Sequence, residues 1–208
     1  MYIQAMQTHL AAFEPQEALY VSAFIIYLLD RIWSHFKGKK KPLYKALENE
    51  ADINDIIYPL LNNLMIDFNA IRVYLLQFHN GEHYYSGQDI LKMTITHEVK
   101  RSNQKKIRLA VQGVLVDEHT HNVASRLRVE NVVQINDIVD LKDEDLRIRY
   151  QYLGVSSMCC FGIRDNKKRV IAILCMQFNH RNPLNDNEVQ GVRYTTYEIS
   201  NALTNEES

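Results

Sequence analysis

Glycine and proline are scarce, 7 and 4 in 208 residues, which excludes long flexible linkers and low-complexity spacers. Cysteine is scarcer: Cys159, Cys160 and Cys175, each in an apolar run. An odd count without metal-type spacing is poor evidence for a disulfide framework or a zinc site. The reading is buried, reduced thiols in a cytoplasmic compartment. Neither sign of charge is in excess. Lys and Arg total 24 against 25 Asp and Glu, a formal net charge of −1. No global field therefore points to nucleic acid, and none is expected as a partner. The chain lacks a P-loop, a G-x-G-x-x-G motif and a Ser-His-Asp order, so no Gly-rich phosphate cradle or hydrolase triad is legible. No internal repeat is visible.

Long apolar runs are also missing. The longest, ALYVSAFIIYLL, covers residues 18–29, against the roughly 20 residues a comfortable membrane span needs. Asp30 and Arg31 interrupt it, and each is costly in hydrocarbon. Trp33 then stands where an interfacial aromatic would, and Lys37, Lys39, Lys40 and Lys41 follow like a positive-inside flank. A signal peptide is not expected, because residues 1–17 hold no Lys or Arg. Two readings stand for residues 18–36: a membrane-attached helix, or a helix packed on the domain or on a second copy. Gly38 to Pro42 reads as a hinge. The expected division is an N-terminal helix with a basic hinge at 1–41 and one domain at 42–208.

What is present is ordinary globular material, 46% hydrophobic and 24% charged. Ile53, Ile56, Ile57, Leu60, Leu61, Leu64, Met65 and Phe68 recur at steps of three and four, which predicts an amphipathic helix. Pro59 predicts a kink or break near Tyr58. Ala70–Phe78 reads as a strand, Asn80-Gly81 as a tight turn, and Ile90–Val99 as the returning strand. Residues 113–129 read as a helix with Val116, Val123, Leu127 and Val114 on one face. Val132–Ile135 reads as a short strand. Asp143–Leu153 reads as a short helix that stops at Gly154. Val155–Ile163 and Arg169–Phe178 read as a hairpin joined through Asp165–Lys168. A last helix starts near Asn185 or Asp186 and carries Val189, Val192, Thr196, Ile199 and Leu203. The fold class is α+β: a central antiparallel sheet flanked by helices.

The stretch RYQYLGVSSMCCFGIRDNKKRVIAILCMQF at 149–178 resembles the C-terminal signature of GAF domains. Gly154, Ser157, the polar turn at Asp165–Lys168 and the strand Val170–Phe178 follow in that order. Residues 183–203 resemble the closing GAF helix, and Arg72-Val73-Tyr74-Leu75 fits the first strand after an amphipathic helix. The run Phe78–Gly87 followed by Lys92-Met93 is similar to a GAF-like subgroup, much of it of bacteriophage type, with an N-terminal hydrophobic helix. There are departures. Ala172 stands where the family has a Gly early in the last strand, and Gly162-Ile163 replace a Pro-Leu. The cyclic-nucleotide signature is not intact; Asn179, Asp186 and Glu188 only echo it. No bilin-attachment pattern is present. The resemblance implies a GAF/PAS-like fold and a non-catalytic sensory module that binds a small molecule or a partner. With the N-terminal segment, the expectation is a homodimer and a cytoplasmic domain tethered through that helix to the membrane or to a second copy. Two alternatives stay open. One is a pocketless dimerisation or host-interaction protein. The other is a thiol-dependent reductase of free methionine sulfoxide.

The expected polar contacts of a ligand pocket are His79, His83, Tyr85, Lys92 and Arg126. His79, His83 and His97 flank the turn-rich loop with Glu82 and Tyr85; a metal site there is the weaker reading, since Asn80-Gly81 opposes a helix that would converge the two histidines. His119 and His121, two apart on a helix, point away from each other and read as surface residues. Arg126 or Arg128 could hold a carboxylate or phosphate. Cys159 and Cys160 face opposite sides of a strand, so Cys175 can share a face with one of them only. No cofactor is named by the sequence.

Overall fold

The computed structural model describes residues 43–83, 89–181 and 183–204. The chain divides into two compact units, 1–48 and 49–208, and the second is described below. The hydrophobic stretch at 18–36 and Tyr85 lie outside the described residues. In chain order the elements are α1 (Leu43–Asp67), β1 (Arg72–His83), β2 (Asp89–Lys100), β3 (Val114–Leu115), α2 (Glu118–Leu127), β4 (Val132–Ile135), α3 (Glu144–Tyr152), β5 (Ser157–Arg164), β6 (Val170–Phe178) and α4 (Asp186–Thr204). The six strands form one sheet in the order β3-β2-β1-β6-β5-β4. Every neighbouring pair is antiparallel.

Alternation of side chains divides this sheet into two apolar faces. On one, Val73 and Leu75 of β1, Phe161 and Ile163 of β5, and Leu174 and Met176 of β6 meet Ile57, Leu61 and Leu64 of α1 and Val189, Val192 and Ile199 of α4. On the other, Tyr74 and Leu76, Met93 and Ile95, Met158 and Cys160, and Ile173 and Cys175 meet Val123 and Leu127 of α2. Each fully buried aliphatic or aromatic side chain contributes on the order of 2 kcal/mol of transfer free energy. The expected antiparallel sheet, roofed by the first and last helices, is therefore the observed one. Val189, Val192 and Ile199 are buried at the spacing the sequence shows.

Local chemistry sets the boundaries. Asp117 and Asp143 cap α2 and α3 by accepting from the Thr120 and Leu146 amides. Gly154 closes the α3 segment at φ +70°, a conformation that strains any residue with a Cβ. Pro59 does not break α1, which runs through it without interruption. The Asn80-Gly81 turn is also not formed. Both residues lie inside β1, because β2 continues to pair with them: Asn80 opposes Leu91 and His83 opposes Asp89. The uneven step is a bulge, which absorbs an extra residue and suits glycine. The region read as one helix at 113–129 starts as a strand instead. Val114 and Leu115 pair with Met93 and Lys92 of β2 before α2 begins.

One buried polar group fastens the fold. The Arg72 side chain is fully buried, and its Nε donates to Glu98 Oε1 at 3.1 Å. Its other nitrogens donate to Gln177 Oε1 at 2.5 Å and to the Lys105 carbonyl at 2.6 Å. Glu98 in turn accepts from the Ile107 and Arg108 amides. The pair thus pins the loop that follows β2 to the centre of the sheet. His97 belongs to this framework rather than to the distal loop. Its Nε2 meets Asn54 Oδ1 of α1 at 2.9 Å and its ring packs edge-on against Tyr58 at 5.1 Å. Burial, aided by the nearby Arg108 charge, pulls its pKa down to about 4, so it stands as a neutral imidazole at neutral pH.

Candidate functional site

The sheet face under α2 is only partly covered. Beyond the apolar cluster that Val123 and Leu127 complete, an open cleft of about 540 Å³ remains. Its apolar surface comes from Phe78 of β1, Leu91 of β2, Val116, Ala124 of α2 and Val170 of β6. Its polar surface comes from His121, Ser125 and Arg128 on the helix side and Arg164, Lys168 and Arg169 on the β5–β6 hairpin. Four cations therefore converge on one apolar hollow, in a chain whose overall balance is neutral.

These cations are not equivalent. Arg169 is ion-paired with Asp165 at 2.6 Å, which fixes the hairpin turn. Arg164 donates to the carbonyls of Leu127, Glu130 and Lys168 and so clasps the C-terminal end of α2. A cation at a helix C-terminus complements its dipole, and bonds to carbonyls leave the guanidinium with its full charge. Arg128 follows directly after α2 and is exposed on the cleft wall. Lys168 holds φ +62° in the turn, which sets the chain direction between the two strands. A cationic rim is thus built from a helix end and a hairpin turn, both held by backbone bonds.

The structure distributes the residues expected from sequence differently. His79 and Lys92 oppose each other across β1 and β2, and His79 Nε2 meets Thr94 Oγ1 at 3.0 Å. By strand alternation they lie on the face opposite to Phe78 and Leu91, away from the cleft. His83 lies on β1 among the last paired residues, and Tyr85 lies outside the described residues. Arg126 pairs with Glu130 at 2.9 Å along the helix surface and does not line the cleft. Its neighbour two residues on, Arg128, does. Sequence reasoning missed Arg164, Lys168 and Arg169 because they read only as parts of a hairpin: Lys168 in its turn, Arg169 at the start of its second strand and Arg164 between the first strand and the turn. Their clustering in a polar turn beside an apolar strand was the available signal.

His119 also departs from expectation. It points away from His121, as the spacing requires, but inward. Its Nε2 is buried without a hydrogen-bond partner, and its ring meets Tyr150 edge-on at 6.4 Å. Burial lowers its pKa. It lines a second, small cavity of about 40 Å³ with Tyr74, Met158, Cys160 and Cys175. All three cysteines are free and buried. Burial pushes the Cys159 thiol up to about 12, and the Cys175 contact together with burial raises Cys160 well above its ordinary value. Nucleophilic turnover needs the opposite, an exposed thiol of low pKa. Among the described residues, no three His, Cys, Asp or Glu side chains gather closely enough to hold a metal ion.

No protein-family model matches the sequence, and no curated protein sequence matches it. Solved structures do match. The Thermosynechococcus elongatus PixJ GAF domain in its blue-light absorbing form aligns with a TM-score of 0.60 at 13% identity, covering 77% of this chain and 89% of that one. The GAF domain region of a Geobacter sulfurreducens PCA protein gives 0.57 at 14% identity, covering 76% and 97%. A far-red absorbing dark-state protein with bound biliverdin gives 0.53 at 13%, covering 75% and 99%. At this identity the likeness concerns the fold, and on that ground the chain has the GAF fold.

Proposed function

We propose that this chain is a non-catalytic ligand-binding module whose cleft takes a small amphipathic anion. The observation that carries the reading is the cleft itself: apolar Phe78, Leu91, Val116 and Val170 beside a rim of Arg128, Arg164, Lys168 and Arg169. An apolar body would fill the hollow while a carboxylate, sulfonate or phosphate meets Arg128, whose planar donors suit such oxyanions, with the Arg164 charge beside it. A structural neighbour with bound biliverdin supports the use of this fold for a small molecule. Ligand contacts on α2 and the hairpin would then bias the packing of the helices on the far face. The probe is 8-anilinonaphthalene-1-sulfonate, an aromatic body with one anionic group. It is expected to bind saturably, one per chain, with an affinity that falls as salt rises. Binding without saturation, or indifferent to salt, would count against the cleft as the site.

Residues 18–36 are proposed as the attachment of this module, a cytoplasmic domain, to a membrane surface. The support is the apolar run followed by Trp33 and the lysine cluster. Among the described residues no helix is long and apolar enough to cross a membrane. The full chain is expected to float with lipid vesicles in a density gradient, and deletion of 18–36 to abolish flotation. A full chain that stays in the dense fractions as a dimer would assign the segment to a second copy instead. The latter outcome has its own support. Ile56 and Ile66 on α1 and Tyr194 and Tyr197 on α4 are 48%, 59%, 68% and 65% exposed, large apolar side chains that a second copy could cover.

A further inference from the structure

Cys160 and Cys175 are directly opposed on β5 and β6, and their sulfurs are 3.4 Å apart. Cys159 has no such partner. It faces the other apolar layer, with its Sγ 3.1 Å from Gln134 Oε1. Both opposed thiols line the small cavity under α2, which at about 40 Å³ exceeds the roughly 15 Å³ that one water needs. The same cavity is lined by His119, whose Nε2 has no hydrogen-bond partner. Two thiols in contact, an unoccupied base and space for a water-sized guest are thus gathered in one place.

We propose that Cys160 and Cys175 form a modification site at which a small hydroperoxide oxidises the two thiols to a cross-strand disulfide. One sulfur attacks a peroxide oxygen. The S–O bond forms, the O–O bond breaks, and the departing hydroxide takes up the thiol proton by way of His119 Nε2 and leaves as water. The second sulfur attacks the sulfenic sulfur. The S–S bond forms, the S–O bond breaks, and the second thiol proton leaves with that hydroxide as another water. Two electrons pass from the sulfurs to the peroxide, and two thiols plus hydrogen peroxide become one disulfide plus two waters. Closure needs the sulfurs to approach from 3.4 Å to about 2.0 Å, which side-chain rotation between directly paired residues supplies. The two thiols supply two electrons, so the site consumes one peroxide per chain and no more until a reductant reopens the bond; the raised Cys160 pKa makes the step slow.

The test treats the full chain with hydrogen peroxide and reads intact mass and peptide maps. The expected product is about 2 Da lighter, restored by dithiothreitol, with the Cys160 peptide linked to the Cys175 peptide. Cys159→Ser is expected to keep this linkage, whereas Cys175→Ser is expected to lose it. Oxidised glutathione, too bulky for the cavity, is expected to react at least about tenfold more slowly than hydrogen peroxide. An unchanged mass, a gain of about 16 or 32 Da, an interchain link or a link through Cys159 would each overturn the proposal. Equal rates with glutathione would overturn the role of the cavity.

Discussion

Arg72→Ala is expected to lower the free energy of unfolding by about 3–5 kcal/mol, because it strips the partner from a buried carboxylate. Glu98 would remain with its side chain 1% exposed and its charge uncompensated. Gln177 Oε1 and the Lys105 carbonyl would each lose a donor, at about 1–3 kcal/mol for every group left unsatisfied. A domain of ordinary stability holds about 5–15 kcal/mol in total, so the variant should sit close to unfolding at 37 °C. Urea titration with an unchanged slope would report this as a lower midpoint. Glu98→Gln is expected to cost less than Arg72→Ala. It removes the charge but keeps an oxygen that accepts from the Ile107 and Arg108 amides. A loss below about 1 kcal/mol for Arg72→Ala would mean that water replaces the guanidinium, and that the pair does not anchor the loop.

That network was invisible in the sequence for a physical reason. Arg72, Glu98 and Gln177 come from three strands, and only the pairing register brings them together. Local patterns were legible where one face of an element is buried. The steps of three and four in α1 and α4, the Asp143 cap with Gly154 behind α3, and the β5–β6 hairpin are all formed as their residues predict. Local preference failed where a neighbour overrode it. Asn80-Gly81 favours a tight turn in isolation, but continued pairing with β2 holds it in a bulged strand. Pro59 similarly stays within α1, whose Ile57, Leu61 and Leu64 are buried on both sides of it.

The candidate site shows the same division. Parity along a strand decides which residues reach a cleft, and no loop-centred argument supplies parity. His79 and Lys92 are one residue out of phase with Phe78 and Leu91, so chemistry expected in the pocket appears on the opposite face. Parity did work where it was applied. Of the adjacent cysteines, one alone shares a face with Cys175, and the structure shows it to be Cys160. At the end of α2 a shift of two residues, about 200° of helical rotation, separates Arg126 from Arg128. That shift turns a surface ion pair into a cleft wall.

Charge reversal at Arg128 is the decisive test of the cleft. Arg128→Glu is expected to weaken binding of the sulfonate probe by about 100-fold or more. One charge-assisted bond of about 1.5–3 kcal/mol is lost, and a like charge replaces it. The fold should tolerate the change, since the side chain is exposed. An anion beside the C-terminus of α2 costs only about 0.3–1 kcal/mol against the dipole, a shift of roughly 1–4 °C in Tm. Arg126→Glu serves as the control, because it adds the same charge two residues away, on a side chain that pairs with Glu130 and does not line the cleft. Its probe affinity should stay within about threefold of the parent, the residual change being long-range and screened by salt. Equal losses in the two variants would mean that the probe responds to the general field of this corner. A loss in Arg128→Glu alone, flattening the salt dependence as it goes, places the anion at the helix end that Arg164 clasps from beneath.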